Sequence, residues 1–118
     1  MERTIKFRGK SISGDWIYGM PTYDFMYIFN GEQLDSVDNY RIDVETIGQF
    51  TGLKDKNGVE IYEGDIFHLG DINVTYTVVW HDTGLIGKQY WTSSYVGLKH
   101  WTYRIEVIGN IYDNPELI

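Results

Sequence analysis

Apolar and polar positions alternate along the chain in short runs and do not recur at helical spacing. Thr4-Ile5-Lys6-Phe7-Arg8-Gly9-Lys10 puts Ile5 and Phe7 on one face of a strand and Lys6 and Arg8 on the other. Ser13-Gly14-Asp15 predicts a turn into a second strand, Trp16 to Tyr18 and on toward Met20, which Pro21 limits. A third apolar run, Phe25 to Phe29, has strand length and ends at Asn30-Gly31. Together the three predict a small antiparallel meander.

From Gly31 to Thr46 the chain turns polar and acidic, which predicts a surface loop with at most a short helical turn. Ile47 to Thr51 resumes a strand. The sharpest local signal is Asp55-Lys56-Asn57-Gly58, where Asn-Gly tolerates the positive φ angles of a tight hairpin. Glu63-Gly64-Asp65 is a second turn, feeding Ile66-Phe67-His68. Val74 to Trp80 is the strongest strand, with Val74, Tyr76, Val78 and Trp80 on one face. Residues 81–103 are broken by glycine and serine and carry Tyr90, Trp91, Tyr95, Trp101 and Tyr103. A last strand, Arg104 to Tyr112, is interrupted by Gly109, and Asn114-Pro115 closes the domain. With no repeat or linker, 1–118 reads as a single domain: N-terminal strands and acidic loop over 1–52, a barrel portion over 53–118.

Composition sharpens this into an all-β class. The apolar share of 42% is filled without one alanine, and isoleucine, valine, tyrosine and tryptophan suit a pleated surface better than a helix. The 118 residues suffice for one core without disulfides. Absent cysteine excludes thiolate metal sites and a cysteine nucleophile, and agrees with a reducing, cytoplasmic setting. No secretion signal or membrane-spanning run stands out. The net charge of −7 conceals +3 in residues 1–10 and −10 in the rest, so most of the surface repels nucleic acid.

Lys6-Phe7-Arg8-Gly9-Lys10, Trp16-Ile17-Tyr18-Gly19, Thr46 through Gly58, Glu60-Ile61-Tyr62-Glu63-Gly64-Asp65-Ile66, Val78-Val79-Trp80 and Val107 through Leu117 follow one another in an order that resembles the YopX family. The resemblance runs from end to end and is weakest at 24–42 and 82–103. It implies a phage or prophage protein with an SH3-like β-barrel, the N-terminal meander packed on it, and no established activity or catalytic residues. Glycines 48, 52, 58, 64 and 109 then serve the bends of a barrel of short strands.

Candidate chemistry is sparse. Gly84 to Lys88 lacks the spacing of a phosphate loop, and Gly58 arrives too early for a calcium loop begun at Asp55. His68, His81 and Asp82, with Asp65 and Asp71, converge on a divalent metal only if the strands flanking 69–73 pair; otherwise they are solvated rim residues. No catalytic constellation and no cofactor is expected. The aromatics Tyr90, Trp91, Tyr95, Trp101 and Tyr103 either fill the barrel or form an interface for a second copy or a phage or host protein. An alternative is nucleic-acid binding through Lys6, Arg8 and Lys10 with nearby aromatics.

Overall fold

Short antiparallel strands carry the fold in this computed structural model, which describes residues 5–29 and 40–118. The chain forms two compact units, Met1–Phe50 and Thr51–Ile118.

In the first unit, β1 (Phe7–Ser11) lies between β2 (Trp16–Pro21) and β4 (Ile42–Lys54), and β2 pairs with the two-residue β3 (Ile28–Phe29). The β1–β2 turn is closed by the Ser11 N–H, which donates to the Asp15 carbonyl at 2.7 Å, and by the Asp15 N–H on Ser11 Oγ. Gly9, Ile28 and Ile42 are buried together. Arg8 and Lys10, opposite Tyr18 and Trp16 in the register, lie on the other side of β1.

Two expectations are corrected here. Phe25 to Phe29 is not a strand throughout. Thr22–Tyr27 is a turn in which Asp24 Oδ1 accepts from the Thr22 hydroxyl and the Met26 N–H, and strand geometry resumes only at Ile28. Local side-chain bonds to the backbone outweigh apolar content. The acidic stretch, in turn, is not loop as far as Thr46. β4 starts at Ile42, and Asp43, Val44 and Glu45 are simply its solvated residues. Between Arg8 and Lys10, two steps along β1 face five along β4, Gly48 to Asp43. Thr46 fills this bulge: its hydroxyl donates to the Asp43 carbonyl at 2.6 Å and accepts the Lys10 N–H at 2.8 Å. Residues 31–39 of the expected loop, with Thr4, Asn30 and the hairpin end at Gly31, lie outside the described residues.

In the second unit the end of β4 pairs with β5 (Glu60–Tyr62), and a five-stranded antiparallel sheet follows in the order β10-β6-β7-β8-β9. Its strands are β6 (Asp65–His68), β7 (Tyr76–His81), β8 (Gly84–Gln89), β9 (Tyr95–Val96) and β10 (Glu106–Asn110). Ile61, Phe67, Val78, Leu98 and Ile105 form the core of this open, barrel-like packing, lined further by Leu53, Leu69, Tyr76 and Trp101. β8 lies within the stretch read only as broken chain: its two glycines hid a strand that pairs along its whole length with β7. Val78 is buried whereas Trp80, on the same face of β7, is exposed, because this end of the hairpin runs past the core.

The Asn57-Gly58 turn forms, with Gly58 alone at positive φ (+82°), so it is a longer loop with a terminal left-handed glycine instead of a two-residue turn. Asp55 organises it. The buried carboxylate accepts N–H bonds from Asn57 (2.8 Å) and Val59 (2.9 Å) on one oxygen and from Val107 (3.0 Å) on the other. At the C-terminal side, Asn110 Oδ1 accepts from the N–H groups of Tyr112 and Asp113 before a 3-10 turn at Pro115–Leu117.

Candidate interaction surface

The five aromatics singled out from the sequence divide between surface and core. Trp91 is 87% exposed, Tyr103 69% exposed and Tyr95 exposed on β9; Tyr90 is half-buried, and Trp101 packs against the core cluster. Ring contacts join them as Tyr90 with Trp91 (4.3 Å, edge-on), His81 with Tyr95 (4.4 Å, stacked) and Trp101 with Tyr103 (6.2 Å, stacked). Trp91 stands in a tight turn in which the Gln89 N–H donates to the Ser94 carbonyl at 2.9 Å, and its φ is +69°. A left-handed backbone is uncommon for a bulky residue, so this loop holds the indole in water at a local cost. Tyr90 and Trp91 line a 290 Å³ cavity with Ile72, Val74 and Ile118.

The basic residues of β1 are arranged differently from a free phosphate-binding stripe. Arg8 is 6% exposed with its guanidinium 4.7 Å from the Trp16 ring; Lys10 approaches the same ring at 6.0 Å, and Lys6 sits 5.1 Å from the Phe50 ring. These are cation–π contacts.

The histidines do not come together. His68 is buried, its Nδ1 accepts the Gly70 N–H at 3.0 Å, and its Nε2 faces Glu106 at 3.5 Å. That acceptor role assigns the proton of the neutral ring to Nε2. His81 stacks on Tyr95 and lies 3.6 Å from Asp82. Asp65 is buried and accepts the Tyr62 N–H at 2.7 Å. Among the described residues no three histidine or carboxylate side chains gather around a common point. The Glu106 carboxyl is held below its ordinary range, first by the Lys56 ammonium at 3.1 Å and then by His68.

Sequence reasoning missed two features. One is an exposed apolar group in the first unit: Tyr18, Met20, Tyr23, Phe25 (φ +60°) and Met26. The signal was available in Thr22-Tyr23-Asp24, a turn-former set among aromatics. The other is a cavity beside Trp101, lined by Leu69, Asp71, Val74, Tyr76 and Arg104, which no local spacing announces.

No helix among the described residues is long and apolar enough to cross a membrane. Protein EF1440 from Enterococcus faecalis has a similar fold, with a TM-score of 0.62 over 98% of this chain and 99% of that one at 23% identity, a likeness of fold alone. No curated protein matches the chain. The model of the family described as YopX protein matches residues 6–118, nearly the whole chain and both units, and the chain belongs to that family.

Proposed function

We propose that the protein is a non-catalytic interaction module that takes a protein partner, a second copy or a phage or host protein, on the surface carrying Trp91, Tyr95 and Tyr103. One observation carries this reading: the most exposed of the predicted aromatics, Trp91, is also held at a left-handed φ. Tryptophan and tyrosine are enriched among the few residues that dominate binding in protein interfaces because they bury large area with few rotatable bonds, and truncating such an anchor costs about 2 kcal/mol of binding or more. The histidines support a non-catalytic reading, since His68 and His81 are engaged in structural contacts. A nucleic-acid role is less favoured because Lys6, Arg8 and Lys10 are laid against aromatic rings.

Sedimentation equilibrium over a concentration series tests self-association, comparing the native chain with W91S/Y103S. Capture from prophage-induced cells with the same two proteins as bait tests a foreign partner. Association or capture by the native chain that falls at least tenfold in the double variant supports the proposal. A strict monomer with identical capture by both overturns it. Retention of a single-stranded oligonucleotide that weakens with salt and with Lys6→Ala would favour the nucleic-acid alternative.

A further inference from the structure

Two opposite charges share one small cavity of the second unit without neutralising each other. Asp71 and Arg104 line a 290 Å³ space whose remaining walls are Leu69, Val74, Tyr76 and Trp101. Both are exposed, and among the described residues no ion pair joins them to each other. Asp71 is nevertheless held in place through both its carboxylate and its backbone, and Arg104 through its backbone. Asp71 Oδ1 accepts the Asn73 N–H at 2.9 Å, and its carbonyl accepts the Val74 N–H. The Arg104 N–H donates to the Trp101 carbonyl at 2.8 Å, and its guanidinium lies against Gly70, whose own N–H is tied to His68.

The walls are firm. Leu69, Tyr76 and Trp101 pack on the core cluster, and the Tyr76 ring stacks on the fully buried Phe67 at 5.3 Å. The cavity therefore pairs a rigid aromatic and aliphatic floor with one anionic and one cationic group at its rim. Small-molecule sites are largely apolar with a few charged groups that fix orientation, and this volume falls just below their usual range of about 300–1,000 Å³, which suits a ligand of few heavy atoms. A ligand with a single charge would leave the opposite rim charge unanswered. A ligand with no charge would use neither.

We infer that this cavity binds a free α-amino acid with an aromatic or branched apolar side chain. Its carboxylate pairs with the Arg104 guanidinium, its ammonium with the Asp71 carboxylate, and its side chain lies against Trp101 and Tyr76. The inference is independent of the protein-interaction reading, which concerns Trp91, Tyr95 and Tyr103.

Amide NMR titration of the full chain with L-phenylalanine and L-leucine tests it, with phenylacetate and phenethylamine as single-charge controls. The expected result is saturable shifts at Gly70, Asp71, Trp101 and Arg104 for at least one amino acid, with each control at least tenfold weaker. Asp71→Asn and Arg104→Gln, both at exposed side chains, each weaken binding at least tenfold while peaks remote from the cavity keep their native positions. Three outcomes overturn the inference: no saturable shift with either amino acid, phenylacetate binding as tightly as L-phenylalanine, or shifts that persist unchanged in both variants.

Discussion

The two units bury their interiors with different chemistry. In the second, Ile61, Ile66, Phe67, Val78 and Ile105 are all fully or almost fully buried and most of them form one contiguous cluster. In the first, Ile28 and Ile42 meet over Gly9, while Arg8, Ser11 and Thr46 are buried alongside. Both interiors bury polar side chains that complete backbone bonds, Asp55, Asp65, His68 and Asn110 in the second as Ser11 and Thr46 in the first. Among the described residues the difference lies in the larger contiguous apolar cluster of the second and in the buried Arg8 cation laid over a ring in the first. The lesson is that a strand-rich unit with few buried aliphatics among its described residues can be shaped by a single hydroxyl placed where the ladder is interrupted, as Thr46 is in the β4 bulge.

That contrast orders the mutations. Phe67→Ala should cost the most, about 3–5 kcal/mol in urea denaturation, since it empties the centre of the aliphatic core. Gly87→Ala sharpens the point: a Cβ there would stand 2.5 Å from Phe67 Cζ, so it should cost about 1–3 kcal/mol alone and much less when combined with Phe67→Leu. Asp55→Ala should cost about 3 kcal/mol by the same measurement, because three N–H groups lose a charged acceptor. In the first unit, Thr46→Val should cost only about 1–2 kcal/mol, the value of the two bonds in the bulge. A Thr46→Val cost equal to that of Phe67→Ala would break the comparison.

The smallest effect is electrostatic. Glu106 has its folded-state pKa depressed, so its contribution is present above the ordinary value near 4.5 and is lost as pH falls through the lower folded value. Lys56→Met removes the largest cause. Acid unfolding followed by tryptophan fluorescence should then begin at slightly higher pH than in the native chain, and the small stability difference between the two proteins, present at neutral pH, should vanish once pH falls below the folded value.

Much of the fold was legible because its signals are local. The Ser13-Gly14-Asp15 and Asn57-Gly58 turns, the strand through Val78 and the interruption of the last strand at Gly109 each depend on a few adjacent residues. What escaped depends on partners distant in sequence. Asp43 and Glu45 read as loop because their charge masked a period-two strand that only β1 defines. Gly84 and Gly87 read as breaks because Phe67 and Val96, which fill the space over Gly87, are far along the chain. Arg8 read as part of a basic stripe open to nucleic acid because nothing adjacent says that Trp16 will lie under it. The aromatics of 90–103 stand out in the sequence as a set, but spacing could not assign Trp101 to the core and Trp91 to solvent. Asp71 and Arg104, more than thirty residues apart in number, meet only through the folded second unit.

The Asp55 carboxylate also bears on the order in which the chain acquires its structure. The hairpin loop it caps closes over a few residues, an event on the scale of about 1–10 μs for an isolated hairpin. Its other oxygen waits for the Val107 N–H, 52 residues further on. Contacts of such long separation slow folding because the intervening chain must be ordered before they reward it. The bond to Val107 therefore belongs to the late, non-local part of folding, and it adds a tie between the loop and β10 that complements the pairing of β5 with β4.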